Sequence, residues 1–283
     1  MFMSNPFAEL SAHISVAVMQ GYIVLMVVLV IVGTMLDMMH KKSAKYFFLN
    51  AEKAKKDAKR EVGAGEKIAM VTKVLLVEVL TSGEFKNVKR RLSHLLTMWG
   101  FVIFVLTSAI LIFGYPTPDT SAPAILPLLW HIGAAMLAVG GYWFWFFIRV
   151  DVSAEGLSWW RFERADLFIL SLLATATFAL IWSYTQYNAM VGWSTLFLIL
   201  FAASGIVLFG GVYWSKFAHM FFKPAAALQK RVTRADGSRE GLPREYDLTD
   251  PEVQKLFPDI PEYMGKNPPY MGHGIKREPA KHY

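Results

Sequence analysis

The segment Arg90-Arg-Leu-Ser-His-Leu-Leu-Thr-Met-Trp-Gly-Phe101 opens one long apolar run, and Tyr213-Trp-Ser-Lys-Phe-Ala-His-Met-Phe-Phe-Lys-Pro224 closes another. Each places a histidine, His94 or His219, where apolar sequence gives way to basic sequence. A neutral imidazole inside a membrane is costly unless it is paired, ligated or turned to water. Two imidazoles at matched depth on different helices are what a bis-histidine haem needs, which makes His94 and His219 the candidate metal ligands. Arg90, Arg91 and Lys216 flank them and supply cations of the kind that propionates require. Gly100, six residues after His94, reads as lying on nearly the same face and leaving room for a porphyrin edge. The competing reading is a pair of interface histidines hydrogen-bonded to loops.

His131 enters another apolar run from the opposite side, and His13 precedes the first run on that side. They are candidates for a second haem in the outer half, or for a donor to a quinone carbonyl at an apolar pocket. His273 and His282 read as ordinary polar residues, His40 as an interfacial residue, and Met98 and Met220 as packing. The chain has no cysteine, which excludes disulfides, cysteine-ligated zinc, iron–sulfur clusters and thiol catalysis within it.

Holding such groups falls to long helices. The chain has 283 residues, 54% of them hydrophobic, and a mean hydropathy of +0.35, too apolar for an ordinary soluble domain. Five runs have about the 20 residues needed to cross a bilayer: 15–37, 94–114, 125–148, 166–184 and 193–217. The expected fold is an all-α membrane protein, a five-transmembrane-helix bundle with a cytoplasmic helical loop and an extended C-terminal tail. Residues 1–14 form the outer N-terminus, 38–93 the basic loop, 94–232 the rest of the bundle and 233–283 the tail.

Residues 41–92 contain 11 lysines and 3 arginines against 6 acidic residues, whereas the connections at 115–124 and 185–192 contain no lysine or arginine. The basic loop is therefore expected to face the cytoplasm, with the C-terminus of this multi-pass protein on the same side. The same asymmetry accounts for the net charge of +7 without nucleic acid. Residues 43–61 read as a solvated charged helix, and 66–80 as apolar enough to lie on membrane lipid or against a partner. Trp159 and Trp160 suit a helix lying at the interface. The proline-punctuated tail, with Phe257, Tyr263, Tyr270 and Tyr283, reads as a strap ordered on a partner or as a disordered tail.

The two histidine segments resemble the second and fifth helices of the nitrate-reductase gamma-type cytochrome b family, over residues 73–228. That family includes the membrane subunits of heterodisulfide-reductase-like and quinone-interacting sulfur-metabolism complexes. The resemblance implies b haems held between helices two and five, and electron transfer between quinone and a cytoplasmic iron–sulfur or flavin redox subunit. It puts the inner ligands on His94 and His219. The outer ligands would fall ten residues after the first and eighteen before the second, where this chain has Phe104 and Phe201. Within the family, the chain looks most like the short anchors proposed for adenylylsulfate reductase in sulfur-oxidising bacteria. A haem-free membrane anchor is the alternative. A transporter lacks the buried charge and broken helices it would need.

Overall fold

The computed structural model describes residues 1–41, 43–83, 85, 87–151, 156–215, 219–239 and 250–256, excluding the side chains of residues 41, 43, 44, 219 and 221. Among these residues there is no β-strand, and five helical stretches are long and apolar enough to cross a membrane. The protein is an all-α, multi-pass membrane protein. Its chain divides into two compact units, one formed by residues 1–42 and 88–220, the other by 43–87 and 221–283.

The first unit contains α1 (Pro6–Leu10), α2 (Val16–Lys41), α5 (Val88–Gly114), α6 (Ile125–Trp143), α7 (Leu167–Tyr187) and α8 (Val191–Gly210). α5 starts six residues before its expected apolar boundary, because Val88-Lys-Arg-Arg continues the helix with side chains long enough to keep their charges in water. It ends where Pro116 and Pro118 would forbid another turn. The main pairings are α5 with α6 and α7 with α8, and α2 packs against α8.

Small residues let the α5 and α6 backbones approach closely. A Cβ on Gly100 would lie 2.7 Å from the Leu137 nitrogen and 2.9 Å from the Gly133 oxygen, and one on Gly133 would lie 2.7 Å from the Phe104 nitrogen. One level further on, the Ser93 hydroxyl donates to the Gly140 carbonyl at 2.9 Å. α2 is fastened to α8 by the Tyr22 hydroxyl, which donates to the Ala202 carbonyl at 2.9 Å.

Residues 1–14, expected as an outer N-terminus, include a short helix that plugs one end of the bundle. Asn5 caps it by accepting from the Phe7 N–H, and its amide donates to the Tyr115 carbonyl at 2.8 Å. Phe7 and Leu10 are buried below it.

The second unit is built from α3 (Ser43–Lys56), α4 (Ala64–Lys73, continued by a π-helical turn Val74–Val79), α9 (His219–Ala235, from Phe221 onward) and α10 (Pro251–Leu256). The loop and the start of the tail thus fold together. Lys59 and Arg60 donate their backbone N–H groups to the Asp236 carbonyl, and the Arg60 side chain donates to the Ala235 carbonyl and to both oxygens of Glu66. Arg231 on α9 donates through Nε to Glu78 at 2.8 Å. Gly237, at φ +79°, turns the chain where it passes Lys59. The tail anchors Phe257, Tyr263, Tyr270 and Tyr283 lie outside the described residues.

Candidate functional site

α5 and α8 face each other through aromatic rings. Phe104 meets Phe201 and Phe101 meets Phe209, each with ring centroids 6.1 Å apart. His94 precedes Phe101 by seven residues, almost two full turns, so it continues the stripe of α5 turned toward α8. It is half-buried, at the end of the bundle where α5 begins with its basic turn. Arg90 and Arg91 stand one turn before it on the same side and are partly exposed. Lys216 and the His219 side chain, the other members of the expected constellation, lie outside the described residues.

Gly100 does not serve the expected purpose. Six residues are about 600°, which puts Gly100 about 120° around α5 from His94. The space in front of it holds the backbone of α6. Its missing side chain permits a helix crossing and leaves no room there for a porphyrin edge.

His131 is corrected as well. His131 is 1% exposed, and its Nδ1 lies 2.7 Å from the Pro127 carbonyl, so Nδ1 carries the proton. Nε2 then accepts from the Ser183 hydroxyl at 2.8 Å. Neither nitrogen is left to ligate a metal. Trp130 and Phe2 meet the ring edge-on at 4.8 and 5.3 Å. His13 is exposed just before α2.

The volume between Phe104 and Phe201 is a side-chain core. Phe104 packs on Trp130 at 5.2 Å, Phe201 stacks on Trp182 at 5.7 Å, and Phe7 reaches both tryptophans from α1. Trp130 and Trp182 are fully buried, and Trp130 Nε1 donates to the Ser108 hydroxyl at 2.9 Å. The residues present do not fit a second haem at this level.

The sequence reading missed the buried charges at the ends of the spans. Arg149, with no exposed surface, closes the π-helical turn Phe144–Ile148 that continues α6 and pairs with Asp166 at the start of α7. Its guanidinium also donates to the Ser158 and Arg161 carbonyls at 2.6 and 2.5 Å and lies 4.2 Å above the Trp145 ring. The Trp159-Trp160 segment is therefore a turn gathered around Arg149, not an interfacial helix, and both tryptophans remain exposed. The charge of Arg149 is thus paired with Asp166 inside the protein. Asp37 is also buried, on α2 one turn beyond Gly33, whose Cα packs on Val212. Arg149, Asp166 and Asp37 sit at span ends, where sequence alone reads them as interfacial.

Among the described residues, no group of three or more histidines and carboxylates is placed to hold a metal ion. Searches against protein-family models, curated proteins and solved structures found no match to this chain.

Proposed function

We propose that this protein is the membrane subunit of a redox complex, with His94 and His219 holding a single b haem at the basic end of the bundle. The observation that carries this reading is the position of His94 on the α8-facing stripe of α5, with Arg90 and Arg91 one turn away. Bound there, a haem supplies one-electron exchange between the quinone pool and a cytoplasmic iron–sulfur or flavin subunit. The chain's part is to ligate, to offer Arg90, Arg91 and Lys216 to anionic groups, and to keep the remaining α5–α8 seam dry. In this reading the basic end faces the cytoplasm of a bacterial inner membrane, as the lysine and arginine asymmetry argues. The family resemblance points to adenylylsulfate reductase as the soluble partner.

A haem-free anchor for the same enzyme is the second reading. The aromatic packing of the outer seam favours it, because the part of the bundle where the resemblance implies a haem is filled by Phe104, Trp130, Trp182 and Phe201. The haem-to-protein ratio of chain purified from haem-replete cells decides between them. The relay predicts about one haem per chain, lost in His94→Ala and in His219→Ala. No reducible Soret and α bands in the parent chain would leave the anchor.

A further inference from the structure

α4 and its π-helical continuation have two opposed faces. Glu66, Met70, Val74 and Glu78 recur every four residues on the first, where Glu66 is held by Arg60, Glu78 by Arg231, and Val74 is 2% exposed. This face is turned into the second unit. On the opposite side, Ile68, Val71, Leu75 and Leu76 are 67%, 37%, 48% and 53% exposed. Their spacing makes one continuous apolar stripe, and exposed Lys67 and Lys73 run along its two margins. An apolar stripe left in water by its own unit marks a binding surface.

The geometry points to an anionic lipid leaflet as its occupant. Chain connectivity is the first reason: only residues 81–87 separate Leu80 from Val88, where the second span begins, and seven extended residues reach at most about 25 Å. The stripe is therefore always within reach of a bilayer. Charge is the second: residues 41–92 carry 14 lysines and arginines against 6 acidic residues, and Lys67 and Lys73 are placed to bury their stems while their ammonium groups meet lipid phosphates. An in-plane helix with apolar residues on one side and lysines at the margins has this design. The inference stands whether or not His94 ligates a haem.

The absence of native cysteine makes the test direct. Ile68→Cys, Leu75→Cys and, as a reference on exposed α3, Lys55→Cys are labelled one at a time with an environment-sensitive dye. The full chain is reconstituted in vesicles of phosphatidylcholine with phosphatidylglycerol, or of phosphatidylcholine alone. In the anionic vesicles, labels at 68 and 75 are expected to be quenched several-fold more by lipid-borne nitroxide than by aqueous iodide, with the reverse at 55. In phosphatidylcholine alone, lipid quenching at 68 and 75 is expected to fall. Labels at 68 and 75 as open to iodide as the one at 55 would overturn the proposal and assign the stripe to a protein partner. Equal lipid quenching in both vesicle types would overturn the role given to anionic headgroups.

Discussion

Arg149 and Asp166, seventeen positions apart, form a buried ion pair: Nε donates to Oδ1 at 3.3 Å and Nη2 to Oδ2 at 2.5 Å. Asp166 also accepts from the Glu163 N–H at 2.8 Å, capping the 3₁₀ turn that starts the fourth span. One guanidinium thus fixes the end of one span, the turn after it and the start of the next. Removing either partner strands a charge without water, which costs about 3–5 kcal/mol. Arg149→Ala and Asp166→Ala are each expected to lower thermal stability in detergent by an amount of that order. Arg149→Lys rescues little, because one ammonium cannot reach the carboxylate and two carbonyls together. A loss below about 1 kcal/mol for Arg149→Ala would show that the pair is not a structural clasp.

The α5–α6 crossing yields a contrast between two glycines. A Cβ at Gly100 would press on backbone atoms at 2.7 and 2.9 Å, which cannot move aside, whereas one at Gly21 on α2 meets nothing within 4 Å. Gly100→Ala is expected to cost about 1–3 kcal/mol through forced separation of the helices. Gly21→Ala should be neutral or slightly stabilising, since alanine is the better helix former by about 1 kcal/mol. Fluorescence-detected gel filtration after a heating series checks both. Equal melting of the two variants would refute the close crossing.

The five spans were legible in the sequence because apolar runs of that length have one economical use. His94 was legible as a candidate, but that it shares a side of α5 with Phe101 and Phe104 turned toward α8 emerged only from the ring contacts of those phenylalanines. Gly100 was misread because six residues do not return to the same side of a helix, and because the residues that fill its space come from Gly133 and Leu137 on another helix. The outer seam gave a partial signal: Phe104 and Phe201 stood where ligands were expected, but nothing local showed that Phe7 would complete their core from α1. The pairing of loop and tail had no local signal at all. Glu78 meets Arg231 across 153 positions, and long-range ion pairs leave no periodicity to read.

In the second unit, Glu66 gives a pH dependence with a defined sign. The hydrogen bond from Arg60, helped by its charge, holds the Glu66 carboxyl below its ordinary value of 4.5. A lowered carboxyl contributes stability above its unfolded value and loses it as the pH falls through the folded one. Acidification below about pH 4.5 should therefore loosen the Lys59–Arg60 turn on Asp236. Amide exchange at Lys59 and Arg60, corrected for intrinsic rates, is expected to speed up over that range in the parent chain. Glu66→Gln should flatten the response. An unchanged profile in Glu66→Gln would assign it to another group.

His131 and His94 are both histidines of membrane-spanning helices, yet they should fail in opposite ways. His131 joins α6 to α7 through Ser183, with its second nitrogen on its own helix at Pro127. Replacing it by alanine removes a fully buried ring from between Trp130 and Phe2 and leaves the Ser183 hydroxyl without its acceptor. The expected cost is about 2–4 kcal/mol of stability, with haem content per folded chain unchanged. His94 is only half-buried on the stripe that faces α8, and if it ligates a haem as proposed, His94→Ala should abolish the haem spectrum in a chain that still folds. Haem-to-protein ratio and melting temperature, measured on both variants, separate the two roles. Loss of haem in folded His131→Ala would return His131 to the ligand set and require the aromatic core around Trp130 and Trp182 to open.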